Sequence, residues 1–259
     1  MIEQLRQQLR VLQRAPGLQG GLKGRPGTLS FGIAALDSVL GGGLMRGALH
    51  EIAATGEPHL VAATGFSLGL AALGVAASDE RKKNLFWVAE DMALAESGAP
   101  HGAGLDAFGL APERLVTVKV AHRRDLFWTM EEALRCHAVD TVIGEMRAGG
   151  IDGVAIRRLS LAAAESGALA LLLRSAPPTD SSTAATRWIV GGAPSFVIPG
   201  REQGPRFAAQ LVRNRRGPGG SWILEWSDSD ERFILAAHSQ PVAAPVLDRS
   251  HHQAAGKVA

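Results

Sequence analysis

The stretch His50–Ala77, HEIAATGEPHLVAATGFSLGLAALGVAA, carries the strongest structural signal in the chain. The apolar segment Leu49–Ala53 predicts a strand, Gly56 and Pro58 predict a turn, and the Ala/Leu/Gly segment that follows predicts a buried helix. Proteins bind phosphates in such a setting, because backbone N–H groups of the loop and the helix N-terminus hold the anion. The stretch therefore predicts a nucleotide-binding scaffold.

The lysine that such a loop needs is missing in both possible registers. Counted from Gly56, the glycine, lysine and hydroxyl positions fall on Val61, Ala62 and Ala63. In the other register Gly65 is followed by Phe66 at the lysine position and then by Ser67. Because the lysine normally reaches the outer phosphates, we expect a degenerate phosphate loop with no catalytic residue, no cofactor and no metal. Gly65, Phe66 and Ser67 are then vestigial positions.

The same region raises the question of a membrane span. Leu60–Ala77 has no charged residue and is long enough to cross a bilayer. Its Ala, Gly, Ser and Thr residues insert weakly, and no asymmetry of Lys and Arg brackets it tightly. We therefore predict a buried core helix.

Composition limits the classes of protein that fit. A chain of 259 residues is long enough for one large α/β domain. A net charge of +2 creates no global basic field, so nucleic-acid binding would need a local patch. The single Cys136 excludes an internal disulfide and fits a reducing compartment. With no signal-peptide pattern at the start, we expect a cytoplasmic protein.

The two ends of the chain differ from its middle. Apolar residues at helical spacing predict one stripe on an N-terminal helix: Ile2, Leu5, Leu9 and Leu12. That helix either folds back on its own domain or docks on a partner or a second copy. His251 and His252 lack partner ligands for a metal site. We expect an interaction helix (1–15), a linker (16–28), a core domain (29–236) and a disordered tail (237–259).

The middle of the chain alternates predicted strands and helices. Apolar segments predict strands over 84–89, 115–120, 139–145, 168–174 and 187–191. Segments 206–213 and 222–226, joined by the turn Gly217–Gly220, predict an antiparallel hairpin. The fold class is therefore α/β, with a mostly parallel doubly wound sheet, an N-terminal amphipathic helix and a C-terminal hairpin.

The segment before the first core strand resembles the opening of RecA-type recombinases. The matching residues of the run LDSVLGGGLMRG and of the strand are Leu36, Asp37, Leu40, Gly41, Gly43, Leu44, Gly47 and Glu51. The resemblance implies a RecA-like fold. It places Glu90 or Asp91 where an acid orients the attacking water, and Glu145 where an acid holds magnesium. The residues alone favour a simpler role for whichever of the two acids fills that position, a carboxylate at a helix N-terminus.

The chain as a whole resembles the ImuA family of RecA-like accessory proteins of bacterial SOS mutagenesis. The matching segments are His50–Ile52, Thr64–Phe66, Leu161–Glu165, Arg187–Trp188, Leu211–Arg216, Trp222 and Glu225–Trp226, together with the N-terminal helix. The resemblance implies an adaptor for translesion synthesis and DNA repair, binding an ImuB-like polymerase homologue and RecA, with an error-prone replicative polymerase as an indirect partner. The alternatives are a SulA-like cell-division inhibitor and a weak RecA-type ATPase.

A basic segment near the end of the core is the remaining candidate surface. By the resemblance, Arg213-Asn214-Arg215 stands where the recombinase carries Lys-Asn-Lys, a segment that reaches the nucleotide of the adjacent subunit, and Arg216 follows it. Without a triphosphate these guanidinium groups are free for carboxylates of a protein partner or for DNA phosphates. The alternative is a solvated edge hairpin whose charges prevent aggregation. Both recombinase DNA loops are short here, so we expect weak or indirect DNA binding.

Overall fold

The computed structural model describes residue 7 and residues 27–77, 84–136, 138–147, 149–179, 182–195 and 204–236. The predicted apolar stripe (Ile2, Leu5, Leu9 and Leu12) and the predicted tail (237–259) lie outside the described residues. The first described strand begins at Thr28, the last residue that the sequence assigned to the linker.

Strands and helices alternate through most of the described chain. The strands are β1 (Thr28–Leu29), β2 (Leu44–Met45), β3 (Ala48–Ala54), β4 (Asn84–Glu90), β5 (Leu115–Val120), β6 (Val139–Met146), β7 (Leu169–Arg174), β8 (Thr186–Gly192), β9 (Arg206–Asn214), β10 (Gly220–Ser227) and β11 (Arg232–Leu235). The helices are α1 (Ala34–Val39), α2 (Leu60–Ala76), α3 (Asp91–Ser97), α4 (Gly102–Asp106), α5 (Arg123–Leu134) and α6 (Gly153–Ser166), with 3₁₀ turns at Glu57–His59 and Pro112–Arg114.

Nine strands form one mixed sheet in the order β11-β10-β9-β8-β3-β7-β6-β4-β5. The pairs from β8 to β5 are parallel, and the three pairs from β8 to β11 are antiparallel. The predicted mostly parallel α/β sheet is confirmed. Its antiparallel part is larger than the predicted hairpin, because β11 adds a strand beyond β10.

Both faces of the sheet are covered. On one face, α2 packs against β3, β6, β7, β8, β9 and β11, while α5 and α6 cover the other face. The stretch Glu57–Ala76 is long and apolar enough to cross a membrane by length and composition. Most residues of α2 are nevertheless buried inside the fold, as predicted for a core helix.

An aromatic cluster joins α2 to the antiparallel strands. Phe66 of α2 lies within 5.3–5.9 Å, between ring centroids, of Trp188, Phe207 and Phe233. Gly69 permits this approach, because a Cβ at that position would overlap the Phe233 ring. The glycines of α2 therefore let rings of β9 and β11 contact the helix backbone.

A buried ion pair joins the segment between β2 and β3 to the start of β6. Arg46, between β2 and β3, pairs with the buried Asp140 of β6. Arg46 also donates hydrogen bonds to the carbonyl oxygens of Gly74 in α2 and Gly167 after α6, at 3.1 and 3.4 Å. One guanidinium group thus connects the helical layers on both faces of the sheet.

Candidate functional site

A cleft of about 510 Å³ lies beyond the carboxyl ends of β3 and β6. In parallel α/β sheets, ligands bind in crevices at this end of the strands. The cleft is lined by Glu57, Leu60, Val61, Thr64, Trp87, Glu96, Ser97, Gly98, Ala99, Pro100, Glu145 and Arg147. It is the candidate functional site because it adjoins the connection from β3 to α2 on which the sequence prediction rests.

The connection from β3 to α2 is poorly equipped to hold a phosphate. Pro58 has no backbone N–H, and the N–H of His59 donates to Gly56 O at 2.9 Å. Glu57 adds a carboxylate that would repel an anion. Of the two registers, the one counted from Gly56 spans this turn, so its lysine position is Ala62 in the first turn of α2.

Gly65, Phe66 and Ser67 lie inside α2, away from the helix start at Leu60. The ring of Phe66 is fully buried in the aromatic cluster. A Cβ on Gly65 would approach Phe207 to 3.2 Å, and Ser67 Oγ donates to Ala63 O at 2.8 Å. Packing accounts for these three residues, and the structure does not bring them to the cleft.

Glu145 lies at the end of β6 and faces the cleft. Its side chain is almost fully buried, and Oε2 accepts a hydrogen bond from Trp87 Nε1 at 3.1 Å. Burial raises the pKa of Glu145, while the Trp87 hydrogen bond and the charge of Arg147 oppose that rise. The sequence placed Glu145 at this edge of the sheet, and it is the one predicted acid that lines the cleft.

Glu90 is engaged elsewhere. Its Oε1 accepts from Arg123 Nε and its Oε2 accepts from the backbone N–H of Arg147, both at 3.1 Å. Asp91 is the first residue of α3, where its Oδ1 accepts from Met92 N at 2.8 Å, as a carboxylate at a helix N-terminus does. Among the described residues that line the cleft, neither acid occurs.

The arginines that surround these acids were not singled out from the sequence. Arg147 pairs with Glu96 Oε2 at 2.8 Å and donates to Ala93 O and Ser97 Oγ at 3.0 and 2.7 Å. Arg123 donates to Gly150 O at 3.3 Å. The sequence shows that Arg123 lies at the predicted start of a helix and that Arg147 directly follows a strand. It does not show that both bond Glu90, because that contact depends on the order of the strands in the sheet.

The fold is similar to that of a solved recombinase. The crystal structure of the RadB recombinase superposes with a TM-score of 0.53 and 17% sequence identity, covering 78% of this chain and 97% of that chain. The chain has the RecA-like fold. No protein-family model matches it, and no curated protein matches it either.

The basic segment 213–216 is partly held by the fold and partly exposed. Asn214 Nδ2 donates to Val39 O at 2.8 Å, and Arg216 donates to Gly41 O at 2.8 Å, so both close the end of α1. Arg213 and Arg215 are exposed and have no ion-pair partner within the described ranges. Two of the three predicted partner-binding arginines are therefore free for a ligand, and Arg216 is held by the fold.

Proposed function

We propose that this chain is a non-catalytic adaptor with a RecA-like fold in a DNA-damage-induced translesion-synthesis complex. It binds an ImuB-like polymerase homologue and RecA, and through them contacts an error-prone replicative polymerase. The observation that carries the non-catalytic part is the composition of the cleft. Three carboxylates (Glu57, Glu96 and Glu145) line the cleft, and among its described lining residues the one guanidinium, that of Arg147, is paired with Glu96.

The partners are proposed from the resemblance to the ImuA family, and affinity purification after DNA damage tests them. We expect the tagged full-length chain to recover the polymerase homologue and RecA. Recovery of the division ring protein instead would favour a SulA-like inhibitor. A matched preparation from undamaged cells serves as the control.

The first prediction concerns ATP. Without the lysine, the outer phosphate loses a charge-assisted contact of roughly 1.5–3 kcal/mol, and Ala62 offers no replacement. We expect no turnover by the purified chain in a phosphate-release assay. Turnover that Glu145→Ala abolishes would contradict the proposal and favour the weak RecA-type ATPase.

The second prediction concerns the free arginines. Arg213→Glu with Arg215→Glu should abolish partner binding in a pull-down without lowering the melting temperature, because both side chains are exposed and neither has an ion pair among the described residues. The matched control is Arg124→Glu with Arg157→Glu, the same charge change at exposed positions of α5 and α6. Unchanged partner binding would remove the protein-binding role of this segment. Loss of DNA retention with a strong salt dependence would assign it to nucleic acid.

A further inference from the structure

The cleft has the size and the walls of a ligand site. Its volume of about 510 Å³ falls within the range of roughly 300–1,000 Å³ that small-ligand pockets occupy. Leu60, Trp87 and Pro100 supply apolar walls. Val61, 83% exposed in the first turn of α2, adds apolar surface. An aliphatic chain can therefore lie in this cleft.

The polar groups of the cleft are mainly acceptors. Glu145 is 97% buried, and its Oε2 is bonded to Trp87. Among the described residues, the hydrogen bond from Trp87 is the one that Glu145 accepts, so its other oxygen, Oε1, remains available to a ligand. Arg147 does not neutralise this carboxylate fully, since it is paired with Glu96 and bonded to α3. Glu57 is exposed and has no ion pair among the described residues.

We infer that this cleft binds a positively charged group on an aliphatic stem. The sources with this chemistry are an arginine or lysine side chain of a partner polypeptide and a small polyamine. A guanidinium or ammonium group would satisfy Glu145 Oε1 and be attracted by Glu57, while its stem contacts Val61 and Trp87. The inference rests on the proposed absence of nucleotide from the same cleft, because phosphates and this cation would compete for one space.

An NMR titration tests the inference at the hydrogen bond itself. The ¹⁵N indole signal of Trp87, assigned with Trp87→Phe, reports on Glu145 through their contact. The probes are Nα-acetyl-arginine amide, spermidine, the neutral Nα-acetyl-glutamine amide and MgATP. We expect saturable shifts with the arginine probe, none with the neutral amide and none with MgATP.

Substitutions locate the binding group. Glu145→Gln keeps an oxygen for the Trp87 indole but removes the charge, so it should weaken binding of the cation roughly tenfold or more. Glu57→Gln lies on an exposed turn that tolerates the change and should weaken binding by a smaller factor. The control is Glu113→Gln, an exposed acid away from the cleft, which should leave the affinity unchanged.

The outcomes of the titration identify the class of ligand and test the inference separately from the proposed function. Tighter binding of the arginine probe than of spermidine supports a polypeptide ligand, and the reverse supports a polyamine. No shift with either cation and none with MgATP overturns the inference and leaves the proposed function standing. Shifts with MgATP overturn the inference, and the phosphate-release assay then decides whether the proposed function falls with it. Equal affinity of wild type and both cleft variants places the cation elsewhere and overturns the inference.

Discussion

His50 on β3 is a fully buried histidine within three linked hydrogen bonds. Its Nε2–H donates to Met45 O at 2.8 Å, so its Nδ1 accepts the hydroxyl proton of Thr186 at 2.7 Å. Thr186 Oγ1 in turn accepts from Trp188 Nε1 at 3.0 Å. In this arrangement the ring is neutral and carries its one proton on Nε2.

The burial of His50 predicts a loss of stability in acid. Burial lowers the pKa of His50 from 6.5 to about 4, opposed by the hydrogen bond to Met45. Between these values the unfolded chain binds a proton that the folded chain does not, so stability falls as pH falls. Between pH 7 and pH 5, the titration of His50 should lower the free energy of unfolding by about 2 kcal/mol.

Urea unfolding of wild type and His50→Gln at both pH values measures this contribution. The difference in unfolding free energy between pH 7 and pH 5 should be smaller in the variant by that amount. Replacement of the exposed His122 by Gln is the control and should leave the difference as in wild type. If the unfolding free energies of wild type and His50→Gln fell equally between pH 7 and pH 5, buried His50 would not cause the loss of stability in acid.

Helix α2 is the element on which the two parts of the sheet meet. Replacing a glycine inside a helix by alanine usually raises the free energy of unfolding by about 0.5–1 kcal/mol. Gly69→Ala should instead cost about 1–3 kcal/mol, because the new methyl group overlaps the Phe233 ring. Gly104→Ala in α4 is the matched control, since its Cβ would meet nothing within 4 Å. Thermal unfolding should show opposite signs for the two variants, and equal signs would contradict the packing role.

The predictability of these elements follows from their burial. Strands covered on both faces are near-continuous apolar runs, so β7 and β6 were predicted almost to the residue. The four-residue β11 was missed, because its sequence is too short to show alternation. Its stability comes from pairing with β10 and from Phe233 in the aromatic cluster, which are long-range contacts.

Only part of the candidate site was predictable from the sequence. The missing lysine and the location of Glu145 were visible in the sequence, because both depend on position relative to one strand. The hydrogen bonds that Glu90 accepts from Arg123 and Arg147 were not visible in the sequence, because they join the ends of β4 and β6 to the start of α5. Such a contact depends on which strands become neighbours, and a linear pattern of residues does not state that order.

At the scale of the whole molecule, Arg46 and Asp140 connect layers that are far apart in sequence. Asp140→Asn leaves the guanidinium of Arg46 without its buried partner, which should cost about 3–5 kcal/mol in unfolding free energy. The control is Asp230→Asn, which removes an exposed partner of Arg232 at 3.5 Å and should change stability by less than about 1 kcal/mol. Denaturant titration of both variants checks the contrast, and equal effects would show that the buried pair is not a structural link.

The contacts of Glu90 limit what a single substitution could add to the cleft. A lysine introduced at position 62 would lie in the first turn of α2, near the carboxylates of the cleft, while Glu90 would still accept hydrogen bonds from Arg123 and from the backbone N–H of Arg147. Releasing Glu90 would remove both bonds and with them a link between the ends of β4 and β6. A cation at position 62 and an unbonded acid at position 90 would therefore need changes at several positions together, because the fold already uses this acid.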